Sequence, residues 1–253
     1  MKKLALFPLI AIILTAVTPA ADARNIYVAR HGQVGIGIKA ISETRLTDLG
    51  IEQARQLADY LVNKRKFNGK IYVSPFYRTT ETASYTAKLL NQKMILEPGI
   101  QEMAPHKTPS PRGMTLKEIN SYFPGKTVPG KRYRDPWRLC QEDNRKRFIR
   151  VSKALEEILA EEKGDILLVC HGASVTDLVK NLNNRRPSRK VKPAKGMVWN
   201  CALFAFELND KNEVIKAEYI TGFIPKKNLT NNFKEPKIPR PDDPRYKSTK
   251  KKK

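Results

Sequence analysis

Two rhythms of apolar and polar residues alternate along this chain. Short unbroken apolar runs bounded by glycine, proline or charge have the length of strands buried on both faces. Longer stretches with apolar residues three and four apart read as amphipathic helices. The first predicted strand covers residues 25–30, and "VGIGIKAISETR" is a glycine-containing loop. The stretch "LTDLGIEQARQLADYLVNKRK" predicts a helix started by Thr47 or Asp48, with Ile51, Ala54, Ala58 and Leu61 on one face. "KIYVSP" predicts a second buried strand, "YRTTETASYTAKLLNQ" a second helix, and "MILEPGIQEM" a short strand and loop. Farther on, "RFIRVSKALEEILAEEKG" reads as a helix, "DILLVC" as a strand and "SVTDLVKNL" as a helix start. "CALFAFEL" and "EVIKAEYI" predict two last strands around the turn "NDKN". Strands alternating with helices imply βαβ units and an α/β fold with a mainly parallel sheet.

Three segments break this rhythm. Residues 1–23 have the parts of a signal peptide: the basic "MKK", the apolar "LALFPLIAIILTAV" and the small-x-small end Ala21-Asp22-Ala23. The run is short for a membrane span and contains Pro8, so export with cleavage before Arg24, to the periplasm or outside the cell, is the expectation. Residues 104–145 are rich in proline, glycine, lysine and arginine and read as an inserted, lid-like basic excursion with one short helix around Thr115 to Tyr122. From residue 223 to 253 a Pro- and Lys-rich stretch reads as a disordered tail, which leaves 24–222 as the folded domain. The formal net charge of +23 suits anionic partners. No nucleic-acid-binding motif accompanies the charge, so an anionic surface met through the basic tail is the expected macromolecular partner, rather than nucleic acid. Cys170 and Cys201 lie in apolar runs and read as buried small hydrophobes, and no cysteine or histidine spacing suggests a structural metal.

The chemistry gathers at strand ends. "IYVARHG" and "ILLVCHG" are apolar runs that stop at His31-Gly32 and His171-Gly172, and "IYVSPFYRTT" carries Arg78 to the start of a helix. Ligand sites in open parallel sheets form beyond the carboxyl ends of strands. Glycine after each histidine permits a sharp turn and close backbone approach. Three such ends would bring Arg30, His31, Arg78 and His171 together. Two guanidiniums repel a divalent metal and fit an oxyanion bidentately. One imidazole in such a pocket could attack phosphorus, the other could donate to the transferring group, and a carboxylic acid would protonate the leaving oxygen. A metal site built from His31, His171 and a glutamate is the competing arrangement, and the arginines have the wrong sign for it. His106, in the Pro-rich excursion, is assigned no chemistry.

"ARHGQ", "LTDLGIEQARQLADYL", "VSPFYRTTETA", "QEM" and "LLVCHGASV", in this order, resemble the histidine phosphatase superfamily, also called phosphoglycerate-mutase-like, and its first branch in particular. The resemblance spans roughly Asn25 to Leu208. It implies a three-layer α/β/α fold, no metal or organic cofactor, and His31 as a nucleophile that becomes phosphorylated. Arg30, Arg78 and His171 would bind the phosphoryl oxygens. Glu102 would be the general acid, with Glu97 as the alternative and Glu81 tied to its helix. Family members often follow the first motif with Thr or Ser and then Asn, where this chain has Val34 and Gly37. That argues against a mutase holding two phosphates in turn. The excursion could offer Lys107, Arg112, Lys131, Arg132 or Arg134 to a polyanionic substrate, or hold them as a solvated basic surface.

The expectation is therefore an exported, metal-independent phosphomonoesterase of histidine acid phosphatase type, acting on a small-molecule or glycan phosphate ester. A phosphohistidine-protein phosphatase, a phosphoglycerate-type mutase and a non-catalytic anion-binding module are the alternatives.

Overall fold

The computed structural model describes residues 23–35, 43–104, 113–135, 137, 138 and 140–230. The expected signal segment up to residue 22, Gly37, His106, Lys107, Arg112 and the tail from residue 231 lie outside the described residues.

Nine strands are present among the described residues: β1 (Arg24–Arg30), β2 (Lys70–Val73), β3 (Met94–Leu96), β4 (Met103–Ala104), β5 (Thr127–Pro129), β6 (Cys140–Gln141), β7 (Ile166–Cys170), β8 (Leu203–Leu208) and β9 (Val214–Ile220). Five α-helices accompany them: α1 (Asp48–Asp59), α2 (Tyr77–Leu90), α3 (Leu116–Tyr122), α4 (Asn144–Glu161) and α5 (Gly172–Asn184). Seven strands form one sheet in the order β5-β3-β2-β7-β1-β8-β9, and β4 pairs with β6 apart from it. The block from β5 to β1 is parallel. The final pair, β8 and β9, runs antiparallel along one edge. The sheet is thus mostly parallel, as the alternation of elements implies.

Alternating side chains of β1 feed two cores. Tyr27 and Ala29 join the apolar faces of α1 and α2, whereas Ile26 and Val28 join those of α4 and α5. Both layers are buried and apolar, which explains why the central strands carry unbroken apolar runs. Cys201 and Cys170 are buried free thiols, one in each core, as the apolar runs around them predict.

Two expectations need correction. The excursion contains the short strands β5 and β6 as well as α3, because β5 extends the main sheet and β6 pairs with β4. Those pairings are non-local and leave no period in three-residue runs. The packed chain also runs past residue 222. Phe223 stacks on Tyr60 at 4.8 Å, Ile224 is buried, and the backbone amide of Asn200 donates to the Thr230 carbonyl at 2.6 Å. Two aromatic and aliphatic side chains hidden among prolines and lysines anchor this strap.

Candidate active site

Strand register builds the site. In the parallel pairs Arg30 lies opposite Cys170 and Val73 opposite Val169, so β1, β7 and β2 end level. The backbone amide of His31 donates to the Cys170 carbonyl at 3.0 Å, and that of Ser74 to the Val169 carbonyl at 3.1 Å. The residues just beyond these ends are His31, His171 and the Ser74–Arg78 stretch. His31, Arg78 and His171 are all buried. The two imidazoles meet edge to face, with ring centroids 5.4 Å apart. Phe76 packs on the His171 ring at 4.7 Å, and the Arg78 guanidinium lies 4.4 Å over Phe76. Arg30 donates to the Val198 carbonyl at 2.9 Å, and this loop carbonyl orients it.

The His31 ring is held in one tautomer. Its Nδ1 lies 2.7 Å from the Gly32 carbonyl oxygen, which can only accept, so Nδ1 carries the proton. Nε2 is left with its lone pair. Burial, and then the nearby Arg78 and Arg30, hold the His31 pKa well below the ordinary imidazole value. His171 is depressed by burial first and then by Arg78 and His31. Burial likewise pulls Arg78 down to about 10, against the attraction of Glu102. His171 Nε2 lies 2.8 Å from the Ser74 hydroxyl, and its Nδ1 is buried without a hydrogen-bond partner, 3.9 Å from a Glu102 oxygen. The arrangement is two neutral imidazoles facing two cations, with a carboxylate at its rim.

The backbone carrying His31 is fixed from several sides. Thr82 Oγ accepts from the Gly32 amide at 3.0 Å, and the Gln53 side chain accepts from the Gln33 amide at 2.8 Å. Asn200 Nδ2 donates to the His31 carbonyl at 3.0 Å, and the Cys201 amide donates to the Arg30 carbonyl at 3.1 Å. Gln53 and Asn200 are in turn tied to the strap, at the Asn228 carbonyl and the Thr230 hydroxyl. Ser74, Thr82, Gln53 and Asn200 escape sequence reasoning as site supports, because each is an ordinary polar residue far from the histidines in the chain. The only signal is position: Ser74 and Thr82 flank Arg78, and Asn200 precedes a strand that pairs with β1.

Gly32 also has a purpose in the packing of the fold. A Cβ there would sit 2.5 Å from the Gly50 carbonyl oxygen, so the glycine admits the first turn of α1. Gly50 is matched to it, since its own Cβ would sit 2.1 Å from the Gln33 carbonyl oxygen. Gly172 is not forced in this way: a Cβ would meet Arg30 at an ordinary 3.6 Å.

The two candidate acids part company. Glu97 is buried, accepts from the Gly99 amide at 2.6 Å and pairs with Arg132 at 3.2 Å. Glu102 is the carboxylate beside His171. Glu81 accepts from the Leu46 amide at 2.9 Å and anchors the α1 entry. Lys131, Arg132 and Arg134 point elsewhere. Lys131 pairs with Glu161 at 2.6 Å, Arg132 also reaches Glu157, and Arg134 donates to the Lys131 and Tyr133 carbonyls. Val34 is core, bridged to Leu46. Among the described residues, no group of three or more His, Cys, Asp or Glu side chains could hold a metal ion.

This geometry belongs to a known family. The chain is a member of the histidine phosphatase superfamily, branch 1, whose family model matches residues 26–220. The transcription factor tau 55 kDa subunit of Saccharomyces cerevisiae is 30% identical over 228 residues, covering 78% of this chain and 49% of that protein. The chain therefore spans about half the length of that relative. Among solved structures, the ecdysone phosphate phosphatase of Bombix mori, in complex with tungstate, superposes with a TM-score of 0.59 at 17% identity, covering 85% of this chain and 98% of that one. Phosphoserine phosphatase from Entamoeba histolytica, in complex with 3-phosphoglyceric acid, gives 0.50 at 20% identity over 79% of this chain and 98% of that one. These likenesses speak for the fold. The chain's expected kinship and its α/β architecture are both as the motifs indicate.

Proposed function

We propose that this chain is a metal-independent phosphomonoesterase, exported by its N-terminal segment, that works through a phosphohistidine at His31. The observation that carries the reading is the His31 ring, neutral and fixed by the Gly32 carbonyl with its Nε2 lone pair available beside two guanidiniums. Arg30 and Arg78 draw in the phosphoryl oxygens, and the N–H groups at the starts of α2 and α5 add to that pull. Nε2 attacks phosphorus, and the bond from phosphorus to the ester oxygen breaks. Charge growing on the phosphoryl oxygens is met by Arg30, Arg78 and His171. The leaving oxygen takes a proton from Glu102. Water then attacks the phosphohistidine and returns a proton to the Glu102 carboxylate, releasing inorganic phosphate.

The substrate class proposed is a small-molecule or glycan phosphate ester met outside the cytoplasm. Support for export is the basic, apolar and small-residue order of residues 1–23. Transfer to a second acceptor, as in a mutase, finds no help from Lys131 and Arg132, which pair with α4, or from Arg134, which bonds its own loop. A second reading, a non-catalytic module within an assembly, has one observation in its favour: the yeast relative bears the name of a transcription-factor subunit.

Hydrolysis of an aryl phosphate in excess chelator, alongside His31→Ala, separates the two. The enzyme reading expects chelator-resistant turnover, an acid-labile phosphoprotein on rapid quenching, and a loss of about 10⁴-fold or more in the variant. Equal turnover by the variant overturns the phosphohistidine route, and none by the parent chain on aryl and alkyl esters overturns the enzyme reading in favour of the binding module.

A further inference from the structure

The neck of the basic excursion is closed by one side chain. Arg150 on α4 presents its guanidinium to Glu142 through Nε, at 3.0 and 3.2 Å, and through Nη2. Its remaining donors reach the Gly99 carbonyl at 2.7 Å, the Pro98 carbonyl at 3.5 Å and the Gln101 carbonyl at 3.3 Å. The Gln101 carbonyl also accepts from Ser174 on α5 at 2.9 Å. The next residue is Glu102. Beyond it, Met103 and Ala104 pair with Cys140 and Gln141, and the residue after those is Glu142 again. The connections form a closed ring: Arg150, Glu142, β6, β4, Glu102, Gln101 and back to Arg150.

We infer that Arg150, with Glu142, is a positioning residue that fixes the Glu102 carboxylate at the leaving-group side of the phosphate pocket. The physical reasons are burial and geometry. Glu142 is buried, and an arginine fork locked on a carboxylate and three carbonyls leaves little freedom to the backbone it holds. Glu102 has no such support of its own. One of its oxygens accepts from its neighbour's amide at 3.1 Å, and the other faces His171 at 3.9 Å, too far for a hydrogen bond. Its place is therefore set through the backbone on either side, which is what the ring holds. The excursion leaves and returns through the same ring, so Arg150 also couples its conformation to the position of the acid. Sequence reading singles out neither residue, because Arg150 and Glu142 look like two more charges in a highly charged stretch.

This inference rests on the phosphatase reading and deepens it. A displaced proton donor harms only reactions that need the proton. Arg150→Gln and Glu142→Gln are assayed in the full chain with an alkyl phosphate and with a dinitrophenyl phosphate, whose leaving group departs unprotonated. We expect about a 100-fold loss of kcat on the alkyl ester and less than about a 5-fold loss on the activated ester. In a Glu102→Gln background, adding Arg150→Gln should cost the alkyl ester less than about 2-fold more, since both changes then act through one group. Equal losses on both esters, or losses that multiply with Glu102→Gln, overturn the positioning role and leave Arg150 a general fold support. Where Arg150→Gln lowers the melting temperature below the assay range, Arg150→Lys, which keeps the charge and loses the fork, reads the same ratio of esters. Failure of the underlying reading looks different: His31→Ala would then match the parent chain on both esters, and the inference falls with it.

Discussion

The helices of this molecule begin in two ways. Helices α1, α3 and α4 are capped by their own chain: Thr47 accepts from the Gly50 amide, Thr115 forms a capping box with Glu118, and Asp143 accepts from the Lys146 amide. Helices α2 and α5, which start beside His31 and His171, have Phe76 and His171 at the cap position and no side-chain cap. A helix start leaves several N–H groups without an intrahelical partner, and a capping oxygen normally satisfies one or two. Where the chain caps itself, it gains stability. Where it does not, the donors and the helix dipole remain for an anion, beside Arg30, Arg78 and the two imidazoles. The same contrast divides the two glutamates. Glu97 is neutralised by Arg132 inside the fold, and Glu102 is held at the edge of the pocket.

The largest effect that would break this contrast is removal of a cation from the uncapped side. Arg78→Ala should lower kcat/KM for an aryl phosphate by about 10³-fold, because a buried donor to the transferring oxygens is lost. Steady-state kinetics checks it, and a loss below about 10-fold would detach Arg78 from the site. Next comes the glutamate pair. Glu102→Gln should cost about 10²-fold or more on an alkyl phosphate. Glu97→Gln should instead lower stability by about 1–3 kcal/mol, through the weakened partnership with Arg132 and the Gly99 amide, and leave kcat per folded molecule intact. Urea unfolding beside the same assay tests both.

The imidazoles sharpen the contrast through pH. Buried His31 and His171 are held below the ordinary value in the folded chain, whereas the unfolded chain takes up both protons near pH 6.5. The unfolded state then binds more protons as pH falls, so stability declines below about pH 6.5 and is unaffected by these groups above it. The slope for two such groups approaches about 2.7 kcal/mol per pH unit. Vanadate in the pocket should flatten it, since a bound anion favours protonated imidazole. Urea midpoints between about pH 5.5 and pH 7.5, with and without vanadate, measure this. A pH-independent midpoint would mean the histidines are not buried neutral. The smallest effect belongs to a capped start. Thr115→Ala should cost about 1 kcal/mol and leave turnover unchanged.

Much of this was legible in one dimension. Unbroken apolar runs ending in His-Gly mark parallel strands feeding a common edge, and local chemistry carries that reading: period, caps and turn residues are all set within a few positions. The arginines and histidines of the pocket are readable because each stands within a few residues of a strand end. Glu102 and Glu97 could not be told apart in this way. Both follow β3 within a few residues, and what separates them comes from far along the chain: Arg132, in the excursion, pairs with Glu97, whereas Arg150, on α4, holds the Gln101 carbonyl just before Glu102.

Read in one dimension, the chain already shows the alternation of strands and helices, the family, and the grouping of Arg30, His31, Arg78 and His171 at one edge of the sheet. Packing alone set Gly32 against Gly50, strapped the loop carrying His31 with residues 223–230, and turned Arg132 toward α4. The physical reason is the same in each case. Contacts between residues far apart in the chain are fixed by packing two apolar layers on a shared sheet, and no local pattern encodes which distant partner a given polar atom will meet.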